Sequence, residues 1–268
     1  MVGPPLGGLL IGAFGPVATT LLNAVSYLLS ALGIGMIGGG EAEPARSEAT
    51  RPRTAELLDG WRYILAHPSL RGLFFNTILV NGLIMATAPL LAVLMLGQLG
   101  FPPWQYGLAF AAPCLGGLLG SRLSPRVATR FGQQRVLSVA GSLRACWSLG
   151  LAFVVPGLPG LALVIAVQFG LVASVGIFSP VLATYRLQQT DDRLVARVLA
   201  AWSIGSSATI AILTALWGLL ASTTSPRVAI AAAGALLLAT PLLLPGRPRP
   251  FARTARVGSQ AKLYRAPR

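Results

Sequence analysis

Few residues in the apolar stretches of this chain could do chemistry. They are amides, hydroxyls and one arginine. Arg144 lies nine residues past Arg135, about 13 Å along a helix axis. A charge that deep in an apolar span is costly and is a functional candidate by default. Gly141 and Ser148 share its helical face and suggest a small, polar, inward stripe. Two destinations stay open for the guanidinium: contact with a ligand or gate, or a return to the basic end by snorkelling. Asn76, Thr77 and Asn81 in residues 70–99, with Gln168 in residues 161–184, are the other candidates. An amide inside a span must find a partner, either a ligand or a neighbouring helix.

The same inventory excludes other chemistries. All seven Asp and Glu lie in polar connections, none in an apolar stretch. No Ser-His-Asp, Cys-His or paired-carboxylate arrangement is present, so a membrane enzyme is disfavoured. His67, beside Pro68, reads as an interfacial surface residue. Cys114 and Cys146 have no CxxC spacing, and with a single histidine they cannot build a convincing metal site. They read as small buried apolar residues. No metal and no cofactor is expected.

The elements that hold these residues are set by composition. Of 268 residues, 54% are hydrophobic and 10% charged, with a mean hydropathy of +0.71. Soluble domains carry about 25% charged residues, so this chain has too little polar surface for a water-soluble globule. The formal charge of +14 comes from arginines between apolar blocks. That placement points to anionic lipid headgroups rather than nucleic acid, for which no motif is present.

Residues 122–135 carry four arginines and no acid, among them Arg126, Arg130 and Arg135, with Gly132 between. A basic turn between two apolar blocks reads as a cytoplasmic loop. Alternation then threads the rest. Residues 2–14 are too short for a span, which needs about 20 residues. Gly15-Pro16 should turn into a full span over 16–37, followed by spans over 70–99, 104–120, 136–155, 161–184, 198–222 and 228–244. Nineteen of the 21 Lys and Arg fall on one side of this threading. The expectation is an all-α polytopic transmembrane helix bundle of about eight segments, the first incomplete. Both termini are cytoplasmic in the cell membrane.

The organisation follows from the same threading. Residues 1–37 form a first unit. Residues 38–69 are a cytoplasmic linker, with a flexible start that proteases should cut first. Residues 70–244 form a six-helix unit, and 245–268 a basic, disordered tail. From Thr54, a cap position by residue type, Leu57, Leu58, Trp61, Ile64 and Leu65 recur at helical spacing. This short amphipathic helix lies either in the membrane interface or against the inner end of the bundle. Asp191 and Asp192 are placed to cap the helix that follows. Pro89, Pro113 and Pro180 should kink their spans.

Several motifs carry a family likeness. Gly3-Pro-Pro-Leu-Gly-Gly-Leu-Leu and Leu22-Asn-Ala-Val-Ser-Tyr-Leu-Leu-Ser-Ala resemble the fifth and sixth helices of a major facilitator superfamily transporter, nearest the bacterial efflux branch that includes the enterobactin exporters. Arg130-Phe-Gly-Gln-Gln-Arg-Val-Leu resembles that superfamily's basic signature loop in its second copy, between helices eight and nine. Thr190-Asp-Asp-Arg-Leu-Val-Ala-Arg-Val resembles the loop before helix eleven. Thr129 stands where the signature has an acid, and Asp191 and Ala196 stand where the branch has Pro and Gly. The resemblance implies small-molecule efflux by alternating access between helix bundles. It also implies that residues 70–155 and 161–244 are inverted three-helix repeats and that helices one to four are absent. The missing helices, or another chain, would complete the transporter. The competing reading is a truncated membrane fragment that no longer transports, or an assembly partner.

Overall fold

The computed structural model describes residues 3–36, 53–191 and 193–243. The expected flexible start of the linker, Asp192 and the basic tail lie outside the described residues. Those described form helices and no strand.

Helix α1 (Gly3–Gly35) runs through both of the first two apolar stretches. The expected turn at Gly15-Pro16 is a kink inside one continuous element. Gly15 sits at φ 79, ψ 167, a conformation open to glycine, and Thr19 Oγ1 donates to the Gly15 carbonyl at 2.8 Å. No residue of Val17–Gly35 is buried, and α1 meets the rest of the bundle at α4.

Helix α2 (Arg53–Ala66) is the amphipathic element. It opens at Arg53, so Thr54 lies in its first turn rather than capping it. Of the two expected positions, it takes the one against the bundle. Ile64 is fully buried, Trp61 meets Phe74 edge-on at 5.4 Å, and Tyr63 Oη donates to the Gln189 carbonyl at 2.7 Å. Arg197 pairs with Asp59 at 3.2 Å. A single residue, His67, separates α2 from α3 (Pro68–Ala92), which ends in a π-helical turn, Val93–Gln98.

The next span differs from expectation. Helices α4 (Pro103–Ala111) and α5 (Pro113–Phe131) meet at Ala112. The break falls at Pro113, which cannot donate to the preceding turn. Helix α5 then continues through most of the stretch expected to be a basic loop, with Pro125 inside it. The connection shrinks to Gly132, at φ 83, a backbone that excludes most L side chains. Helix α6 (Gln133–Trp147) follows, tightening into a 3₁₀ turn, Ser148–Phe153. Helices α7 (Leu158–Gln188), α8 (Val195–Thr223) and α9 (Pro226–Ala239) complete the bundle, with a last 3₁₀ turn, Thr240–Leu243. Asp191 Oδ1 accepts from the Arg193 N–H at 3.3 Å, just ahead of α8 rather than at its cap.

Five described helices are long and apolar enough to cross a membrane. The α4–α5 pair, broken at Ala112, and two shorter stretches, α9 with its 3₁₀ extension and the first part of α1, supply three further segments. Together they make the eight segments expected, and the chain is a multi-pass membrane protein.

Buried side chains form a cluster at each end and one between. At the basic end, Ile64 and Phe74 pack with Val136, Phe178, Tyr185 and Trp202. At the opposite end, Leu94, Met95 and Phe101 pack with Val154, Val164 and Ile230. There Arg227 Nη2 donates to the Val154 carbonyl at 2.7 Å. Glycines set the closest helix contacts. A Cβ on Gly120 would fall 2.3 Å from the Ala173 carbonyl oxygen, and one on Gly116 would fall 2.8 Å from that of Phe169. Ser124 extends this α5–α7 seam by donating to the Ile177 carbonyl at 3.1 Å.

Candidate functional site

The polar candidates separate into a buried set and an accessible set. The buried set is built on α3 and α6. Arg144 is 4% exposed, and its Nη2 donates to Asn76 Oδ1 at 2.6 Å. Asn76 is fully buried, and its Nδ2 donates to the Thr240 carbonyl at 2.8 Å. The guanidinium carbon stands 3.8 Å from the centroid of the Phe178 ring. One arginine thus joins α3, α6, α7 and the end of α9. The side chain does not snorkel out. It turns inward, because an amide oxygen and an aromatic face are within reach there.

Arg144 has no acid partner among the described residues. Its Nε makes no hydrogen bond, and neither do the Ser148 and Thr77 hydroxyls or the Trp147 indole N–H. These are the costly groups of the interior, since a buried donor without an acceptor bears its full desolvation penalty. The Asn76 oxygen and the quadrupole of Phe178 offset part of the cost at Arg144.

The accessible set is different. Asn81 is five residues beyond Asn76 on α3, about 140° further round the helix, and it is exposed. Gln168 on α7 is half-buried. Neither is brought into the Arg144 cluster. Thr77 is half-buried, with its hydroxyl oxygen inside.

The four candidate residues of the signature stretch are accessible, while Val136 and Leu137 at its end are buried. Arg126, Arg130, Gly132 and Arg135 are all exposed. Thr129, at the position of the signature's acid, donates its hydroxyl to the Arg126 carbonyl at 2.9 Å. It therefore closes a local helical contact and offers no charge to the neighbouring arginines. The cysteines depart from expectation. Cys146 is exposed and Cys114 half-buried, each donating to a carbonyl one turn earlier, at 3.5 and 3.4 Å. Helix exteriors of a membrane bundle face an apolar medium, so an apolar residue type does not imply burial in protein.

Sequence reasoning missed Phe178, which lies under the Arg144 guanidinium, and Thr240, whose carbonyl accepts from Asn76. Both arrive from helices distant in the chain, and a phenylalanine in an apolar helix carries no signal of its own. Ser148 was legible from its spacing to Arg144.

The sequence profile of the Major Facilitator Superfamily matches residues 1–185. A curated relative, the multidrug efflux pump Tap of Mycolicibacterium fortuitum, is 32% identical over 196 residues. That match covers 69% of this chain and 44% of the relative, so the chain spans less than half the relative's length. Because the family profile takes in more than half of a chain whose spans form the expected helical bundle, this protein belongs to the Major Facilitator Superfamily of membrane transporters.

Proposed function

We propose that this chain moves a small molecule across the cell membrane, outward, by alternating access between helix bundles. The observation that carries the direction is the similarity to a multidrug efflux pump across 69% of the chain. The exposed amide of Asn81, near the middle of the apolar span Pro68–Gln98, supports it. An amide facing lipid would be costly there, whereas one facing a water-filled path or a second bundle is useful. Asn81 and Gln168 are the proposed substrate contacts. Asn76 and Arg144, already joined to each other, serve as the internal brace of the six-helix unit over 70–244. The first two helices and the linker, in this reading, belong to the other half of a transporter, which further helices or another chain complete.

Export tests this directly. Efflux-deficient bacteria expressing the chain should retain less of at least one fluorescent dye from a cationic and neutral panel than cells with empty vector. Asn81→Leu together with Gln168→Leu should return retention to the vector level while the protein still reaches the membrane. A chain that inserts and exports nothing favours the second reading, a fragment that does not transport. The specific observation behind that reading is the unburied Val17–Gly35 segment.

The orientation has its own test. Ser124 would be a poor labelling site, being buried against α7. Thr129 is exposed at the same end. In a background lacking Cys114 and Cys146, Thr129→Cys should react with a membrane-impermeant maleimide only after the cells are permeabilised. Strong labelling of intact cells would invert the proposed topology.

A further inference from the structure

We infer that Arg122, Arg126 and Arg130 on α5 form a binding site for the phosphate headgroup of an anionic phospholipid. The inference rests on the chain spanning a membrane and not on transport. The three arginines recur every fourth residue, so they lie along one side of the helix, and all three are exposed. Ser124 is buried against α7 at the same level, so the arginine side faces away from the bundle.

Their depth fits a headgroup. Trp104, exposed at the opposite end of the α4–α5 pair, is the kind of residue that sits at a membrane interface. From Trp104 to Arg122 the α4–α5 pair rises at most about 27 Å, against a hydrocarbon core of about 30 Å that the long arginine side chain helps to span. Arg122 thus reaches the headgroup level, and Arg126 and Arg130 follow one and two turns beyond. Above them the same helix exposes Leu115, Leu118 and Leu119. Apolar side chains therefore line the acyl region, and cations begin where phosphates do.

Among the described residues no acid pairs with the stripe. Between Asp59 and Asp191 the chain has no Asp or Glu, and none of the three has an ion pair among the described residues. Arg130 lies 5.5 Å from the Phe131 ring, which leaves its donors free. Guanidinium groups bind phosphate in a bidentate manner, and each cation at an anionic surface is worth about 1 kcal/mol, or roughly fivefold in affinity.

The test uses the full chain in neutral detergent micelles with a tail-labelled phosphatidylglycerol as probe. The triple variant Arg122→Gln/Arg126→Gln/Arg130→Gln should bind it at least tenfold more weakly, and Arg126→Gln alone about fivefold. Arg62→Gln/Arg71→Gln/Arg193→Gln removes the same charge from other exposed positions and should change affinity less than threefold. Equal losses in both triple variants would reduce the site to general charge and overturn the inference. So would displacement of the lipid by millimolar inorganic phosphate, which would mark a free-anion site. Tighter binding of an RNA oligonucleotide, lost in the first triple variant, would overturn it in favour of nucleic acid. Thermal unfolding of each variant separates lost binding from lost folding.

Discussion

Truncating Asn76 to Ala should lower the stability of the purified protein by about 1.5–3 kcal/mol, the range for losing a hydrogen bond to a charged group. The amide serves two partners, the Arg144 guanidinium and the Thr240 carbonyl. Removing it leaves both without an acceptor or donor inside the bundle. Of the two, the cation is the more expensive, because Arg144 is buried and pairs with no acid among the described residues. Most of the loss should therefore vanish when the cation goes too. Removing one partner of a buried polar pair is damaging, replacing both by apolar groups is often nearly neutral, and a cation left alone costs more than a neutral amide oxygen left alone. Arg144→Met alone should accordingly cost less than Asn76→Ala. The double variant Asn76→Ala/Arg144→Met should be more stable than Asn76→Ala alone. Thermal unfolding in detergent measures all three, and the coupling is the departure from additivity. Additive losses would show that the 2.6 Å contact contributes little and that Arg144 finds other partners. Phe178→Leu supplies the third side of the argument. It removes the ring beneath the guanidinium, and beyond the packing cost of a smaller core side chain it should cost about 1–2 kcal/mol through the lost cation–π contact, a part that vanishes when Arg144 is absent.

The spans and the positions of the arginines were legible in the sequence because they depend on composition, and composition is averaged over some twenty residues. The directions of individual side chains were not. Helix α3 is apolar on all sides, so its sequence has no polar face to say which side meets protein. Asn76 and Asn81 looked alike there, yet one is fully buried and the other exposed. What separates them is Arg144, 68 residues away in the chain. The basic loop failed as a loop for a different reason. Arginine is a good helix former, and Pro125 does not end α5. Charge pattern identified the end of the bundle, while Gly132 alone carries the turn. The amphipathic helix was recognised from its spacing, but both of its possible resting places required an apolar face. The choice fell to Trp61 and Ile64, which find Phe74 and the α8 end of the core.

Glycine spacing had the same ambiguity, and it leads to the second large effect. Gly8 and Gly12 have the small-xxx-small spacing, and so do Gly116 and Gly120. Spacing cannot say which pair meets a partner closely. The α5–α7 seam does so at Gly120, where an added Cβ would fall 2.3 Å from a backbone carbonyl oxygen. Gly176 faces it from α7, with its own added Cβ 2.7 Å from the Gly117 carbonyl oxygen. Backbone cannot swing aside as a long side chain can, so a larger residue must push the two helices apart. The separation would spread along the seam and break the Ser124–Ile177 hydrogen bond one turn further on. Overpacking in a tight core costs about 1–3 kcal/mol for small insertions. Gly120→Ala should fall in or above that range, and Gly120→Leu should abolish recovery of monodisperse protein. The controls are Gly107→Leu and Gly218→Leu, where a Cβ would meet nothing within 4 Å. Both should purify and unfold like the parent chain, since glycine-to-leucine exchange itself favours a helix. Size-exclusion profiles and melting temperatures of the four variants decide it. A monodisperse Gly120→Leu protein melting at the parent temperature would mean that α5 and α7 do not approach this closely.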